Sequence, residues 1–178
     1  MRTMQQPVLV TRGLAKRYGR FDALTPTNLY VPYGEIYGLV GRNGAGKTTL
    51  LRLITGQALP SAGEVELFGA TASFALNEQR RRVGAMIETP SFYPYLTARE
   101  NLEYYRLQRG IAGRACIQEA LELVDLADAG QKKCRDFSLG MKQRLGLALA
   151  LMNQPDLLLL DEPVNGLDPM ASWRSATC

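Results

Sequence analysis

Apolar positions along the 178-residue chain change their spacing several times. Near the N-terminus they form short β-rich runs, of which Val8-Leu9-Val10 is the first. Residues 28–31 alternate polar and apolar, and Pro32-Tyr33-Gly34 reads as a turn. Residues 35–40 run apolar into glycine and predict another strand. Beyond a glycine-rich stretch, residues 47–54 have helical composition, and Gly56 suits a helix stop. Residues 60–63 mark a turn before a strand at 64–68, and a further strand is expected at 83–87. The prolines and aromatics of residues 89–95 suggest an ordered connector. Thr97-Ala98-Arg99-Glu100 is a capping-box pattern, predicting a helix that ends near Gly110. A second helix fits residues 115–126. Ser138 caps a third, running to Met152 with Pro155 beyond it. Leu157 to Leu160 is a short apolar run leading into Asp161-Glu162, the pattern of a buried parallel strand delivering acids to its C-terminal end.

Composition narrows the class. With 46% apolar and 21% charged residues, the chain is neither disordered nor fibrous. One domain of this length buries about 70% of its unfolded surface, so it needs no disulfide or metal staple. Lys plus Arg exceeds Asp plus Glu by 21 − 17 = 4. That mild excess suits a nucleotide as well as it suits nucleic acid. There is no histidine, which excludes His-based zinc sites, Ser-His-Asp triads and His general bases. Three widely spaced cysteines with no CxxC fit a reduced intracellular protein. No apolar run reaches the ~18 residues needed to span a bilayer, and no signal-peptide core is visible. A cytoplasmic protein, at most peripheral to a membrane, is expected.

Gly41-Arg42-Asn43-Gly44-Ala45-Gly46-Lys47-Thr48 matches the phosphate-loop pattern GxxxxGK[ST] at every fixed position. It also lies between an expected strand and an expected helix, the context the motif requires. Glycines let the backbone curl so that successive N–H groups meet phosphate oxygens. The helix that follows adds its positive end. Lys47 can reach the β- and γ-phosphates, and the Thr48 hydroxyl can ligate Mg²⁺. Gly41, Asn43, Gly44, Ala45, Gly46, Lys47, Thr48 and Thr49 are therefore the candidate nucleotide contacts, with Lys47 also catalytic. The bland alternative is a glycine-rich turn before a helix. Leu157 to Asp161, followed by Glu162, resembles a Walker B segment. Asp161 would hold Mg²⁺, directly or through water, and Glu162 would polarise the attacking water. Alone, this pattern reads equally well as an apolar strand ending in solvated acids.

On these residues the chain resembles the ATP-binding subunit of an ABC transporter, from about residue 8 to residue 169. Phe137-Ser138-Leu139-Gly140-Met141 is similar to the LSGGQ signature: Ser138 and Gly140 match, Leu139 and Met141 depart. Asn165-Gly166-Leu167-Asp168-Pro169 resembles the D-loop and makes Asp168 a candidate. Tyr18 is similar to the aromatic that stacks on adenine, although an ordinary strand-end tyrosine reads the same way. Glu88 occupies the Q-loop place, where most members carry glutamine, and is the third candidate metal residue. That departure resembles the subgroup handling bacitracin and lantibiotic peptides. The resemblance implies an α/β fold: a P-loop NTPase core with an N-terminal antiparallel β subdomain and a helical insert. Residues 1–88 and 155–178 would form the core, and residues 89–154 the helical signature subdomain. It also implies ATP and Mg²⁺ as cofactors, a separate membrane permease as partner, and a homodimer or pseudo-dimer closed through the nucleotide sites.

The family continues past the D-loop to a strand and a switch histidine, and this sequence contains neither. That strand usually lies between the phosphate-loop strand and the Walker B strand. Without it, unpaired backbone and exposed apolar faces are expected. Loss of a general acid–base group costs about 10²–10⁴ in rate, so ATP-Mg²⁺ binding with poor hydrolysis is expected. Three alternatives stay open: a nucleotide-binding fragment with little ATPase activity, a nucleic-acid-associated ABC ATPase, and a small-molecule kinase. The runs Arg80-Arg81-Arg82 and Lys132-Lys133-Cys134-Arg135 read as solvated surface or as a groove for a permease or nucleic acid.

Overall fold

The computed structural model describes residues 6–88 and 91–162. They divide into two compact units. One holds the described residues up to Ile87 together with Pro155–Asp161; the other holds Glu88–Gln154 and Glu162.

In the first unit, strand β1 (Pro7–Tyr18) lies between β2 (Phe21–Pro32) and β3 (Ala62–Leu67) in an antiparallel sheet. Val10 pairs with Tyr30 on one side and with Glu66 on the other. As the central strand, β1 keeps Val8, Leu9, Val10 and Leu14 buried. Helix α1 (Lys47–Thr55) follows the glycine-rich loop and ends at Gly56. It packs Leu50, Leu53 and Ile54 into a core shared with Leu14, Leu24, Val65 and Leu67 of the sheet. A fully buried leucine such as Leu53 contributes about 1.5–3 kcal/mol through burial. Helix α2 (Ser73–Arg80) adds Leu76 to that core. Strand β4 (Val83–Met86) pairs in parallel with β5 (Leu157–Leu160), from Val83 opposite Leu157 to Met86 opposite Leu160. The Asp161 N–H donates to the Met86 carbonyl at 2.9 Å, carrying the pairing one residue past the strand.

The second unit is helical. Helices α3 (Ala98–Gln108), α4 (Ala115–Leu123) and α5 (Leu139–Leu151) close around Leu102, Ile117, Leu121, Leu145 and Ala148. The capping box forms as expected: the Thr97 hydroxyl accepts from the Glu100 N–H at 3.1 Å, and the Glu100 carboxylate accepts from the Thr97 N–H at 2.7 Å. Asn101, fully buried, clasps the connector before α3. Its carbonyl oxygen accepts from the Tyr93 N–H at 2.8 Å, and its amide donates to the carbonyls of Tyr93 at 3.1 Å and Thr97 at 3.0 Å. A buried amide with these partners carries no desolvation penalty.

Two expectations need correction. Residues 35–40 form no strand: Ile36 and Val40 are 101% and 97% exposed, and Tyr37 and Leu39 are exposed too. A strand is made by its lateral partners as much as by its own composition. Among the described residues no strand pairs with this segment. Helix α2 was not expected. It buries Leu76 alone and has no side-chain cap, so it leaves no periodic apolar stripe to read.

Candidate functional site

The glycine-rich loop spans residues 41–46 and feeds straight into α1. Gly44 and Gly46 both adopt left-handed backbone, at φ 82 and 88. At Gly46 a second constraint applies: a Cβ would lie 2.5 Å from the Ala23 carbonyl oxygen of β2. Only glycine satisfies both conditions, so the loop can rest directly on the sheet. The turn is closed by the Ala45 N–H donating to the Arg42 carbonyl at 3.1 Å. The first helical bond runs from the Leu50 N–H to the Gly46 carbonyl at 2.8 Å. Lys47 opens α1, and its ammonium donates back to the carbonyls of Gly41 at 2.9 Å and Arg42 at 3.2 Å. Gly41, Asn43, Gly44 and Ala45 are exposed, while Lys47, Thr48 and Thr49 are half-buried. The first turn of a helix carries N–H groups without intrahelical acceptors, which suits a phosphate.

The Thr48 hydroxyl donates to the Asp161 carboxylate at 2.6 Å, across 113 residues of sequence. The phosphate loop and the end of β5 are thereby joined in one unit. The pair offers a neutral oxygen and an anionic oxygen, the hard donors that Mg²⁺ prefers. No cluster of three or more His, Cys, Asp or Glu side chains occurs among the described residues. Glu162, the next residue, is exposed and has left-handed backbone at φ 46. Glu88, two residues past β4, is exposed with φ 63.

Tyr18, at the end of β1, is 52% exposed. The Lys16 ammonium sits 4.8 Å from its ring centroid and donates to the Leu59 carbonyl at 2.6 Å. The sequence reading did not single out Lys16. Its signal is the two-residue spacing that puts both side chains on one face of a strand. In the second unit, Ser138 caps α5, its hydroxyl accepting from the Met141 N–H at 3.2 Å. Gly140 lies in the first turn of that helix. Asp168 and the rest of the D-loop candidate lie outside the described residues.

The arginine run is not one solvated patch. Arg80 donates through Nε to the Ile54 carbonyl at 3.1 Å. Arg82 pairs with Asp156 at 2.7 Å and lies 3.8 Å from the Phe68 ring centroid. Arg81, the most exposed of the three, lies 3.6 Å from Glu78. In the second run, Cys134 is buried and Arg135 lies 5.8 Å from the Tyr95 ring centroid.

The profile of the ABC transporter family matches residues 24–165. The bacitracin transport ATP-binding protein of Enterococcus faecalis is 47% identical over 163 residues, covering 92% of this chain and 53% of the relative. The lantibiotic transport ATP-binding protein of Streptococcus pyogenes is 38% identical, covering 92% of this chain and 69% of the relative. A solved dimeric ATP-binding cassette, in a post-hydrolysis state with ADP and phosphate, superposes with a TM-score of 0.80 at 28% identity. That match covers 90% of this chain and 76% of the solved one. The chain thus spans about half the length of the bacitracin-transport relative.

Proposed function

Because the chain belongs to the ABC transporter family, we propose that it binds ATP with Mg²⁺ and serves an exporter as its nucleotide-binding subunit. The observation that carries this reading is the 2.6 Å bond between Thr48 and Asp161. It brings the phosphate-loop helix and the acid-bearing strand to one place. In this reading, residues 41–49 wrap the phosphates with backbone N–H groups. Lys47 exchanges its loop carbonyls for the β- and γ-phosphates. Thr48 and Asp161 hold Mg²⁺, with Glu88 as a further candidate. Bound Mg²⁺ supplies charge that offsets the phosphate oxygens. Tyr18 offers its exposed ring to the base. Glu162 accepts a proton from, or orients, the attacking water.

The signature reading rests on Ser138. As cap of α5 it leaves a helix end whose positive pole suits a phosphate held by a second subunit. Dimerisation through two nucleotides, with Ser138, Gly140 and Asp168 contributing, follows from that reading. Export of an antimicrobial peptide or drug through a separate permease is supported by the relatives named for bacitracin and lantibiotic transport. No helix among the described residues is long and apolar enough to cross a membrane. A place at the cytoplasmic face of the membrane, beside a permease, is the reading that the transport relatives support.

A second expectation concerns these 178 residues assayed by themselves. These 178 residues contain no histidine to contact the γ-phosphate. We expect ATP-Mg²⁺ binding with phosphate release slowed by about 10²–10⁴ relative to a histidine-bearing relative. Steady-state phosphate release, measured beside nucleotide affinity, tests this. Tight binding with slow release supports it; release at the relative's rate contradicts it.

A further inference from the structure

Helix α1 has two ends, and the nucleotide reading uses only one. Lys47 and Thr48 occupy the first turn. The other end, about 13 Å away at 1.5 Å per residue, carries carbonyls that lack helical partners. The Thr55 hydroxyl and the Ala58 N–H donate to Arg52, and the Gly56 N–H to Leu53. On Ile54 the donor is the Arg80 guanidinium, at 3.1 Å. Of these donors it alone is charged, and it meets the negative pole of the helix.

Arg80 is held for this contact from two sides. Its Nη1 donates to the Asn77 side chain, one turn earlier in α2, at 2.6 Å. Gly56 makes room for it: a Cβ there would lie 2.7 Å from the guanidinium carbon. Gly56 also has φ 78, so one glycine serves both the helix stop and the guanidinium seat. Part-burial lowers the guanidinium pKa from its ordinary value without approaching neutrality at physiological pH.

Resting on the nucleotide reading above, we infer that Arg80 is a positioning residue for the phosphate loop. It fixes the far end of α1, and so the placement of Lys47 and Thr48, without touching the nucleotide. Arg81, its exposed neighbour, supplies a comparison: the same charge one residue away, 3.6 Å from Glu78.

The test uses the 178-residue chain and two probes, ATP-Mg²⁺ and adenosine, which carries the base and no phosphate. Their affinities are measured by competition against a fluorescent nucleotide. Arg80→Met keeps the stem and removes the charge. It should weaken ATP-Mg²⁺ roughly two- to fivefold, the range a helix-terminal charge supports, and leave adenosine unchanged. Arg80→Lys should recover most of the loss, and Arg81→Met should bind like the parent. Should Arg80→Met fold poorly, Asn77→Ala keeps the charge but frees the guanidinium, and a smaller loss confined to ATP-Mg²⁺ is expected. Equal losses in Arg80→Met and Arg81→Met would mean a bulk charge effect and overturn the inference. So would parallel losses for ATP-Mg²⁺ and adenosine, or an Arg80→Met chain that binds like its parent. A folded parent that binds no ATP-Mg²⁺ overturns the nucleotide reading, and the inference with it.

Discussion

Thr48 and Asp161 show how a single side-chain bond can join distant parts of a sequence. The hydroxyl has no helical duty, because Thr48 lies in the first turn of α1. It is free to donate to a carboxylate that β5 delivers. A hydrogen bond to a charged partner contributes about 1.5–3 kcal/mol. Thr48→Val removes the donor and the oxygen proposed for Mg²⁺ but keeps the shape. Its ATP affinity should lose most of its dependence on Mg²⁺, read by titration with Mg²⁺ and then with a chelator. Thr48→Ser should keep that dependence. A Thr48→Val chain as responsive to Mg²⁺ as the parent would remove this residue from the metal site. Gly46 is as constrained as Thr48, through backbone rather than chemistry, since its missing Cβ lets the loop lie on β2.

Among the elements, α3 offers the sharpest pH argument. Glu100 accepts from the Thr97 backbone N–H, the largest cause of its lowered pKa, and then gains from the Thr97 side chain. A carboxylate depressed in the folded state adds stability above its unfolded pKa and loses it as pH falls through the folded value. Urea midpoints of the parent should therefore fall more steeply in acid than those of Glu100→Gln, which cannot titrate. Parallel pH profiles would refute the coupling. This cap was legible in the sequence because four adjacent residues encode it. The glycine stop of α1 and the apolar run of β5 were legible for the same reason. Residues 35–40 were misread because a strand depends on a neighbour that local pattern does not contain. Helix α2 was hidden because one leucine carries its packing. Arg80 was read as solvated, since its partner Ile54 lies 26 residues away.

At the scale of the molecule, the candidate residues fall in two compact units. The first holds the phosphate loop, Asp161 and Tyr18; the second holds Ser138 and Gly140 at the start of α5. The start of α1 and the run of β5 were readable because a few adjacent residues encode each. Lys16 beside Tyr18 and the seat of Arg80 were not, because they arise where strands and helices meet. The exposed Ile36 and Val40 leave an apolar segment leading directly into the phosphate loop. The account as a whole depends on the loop gripping a triphosphate, and one titration bears on that most directly. ATP-Mg²⁺ is titrated into the folded parent and into Lys47→Met, with bound nucleotide read by calorimetry. Saturable binding is expected for the parent, weakened about tenfold or more in the variant by loss of one charge-assisted bond. A folded parent indifferent to millimolar ATP-Mg²⁺, or a variant that binds as its parent does, would contradict it.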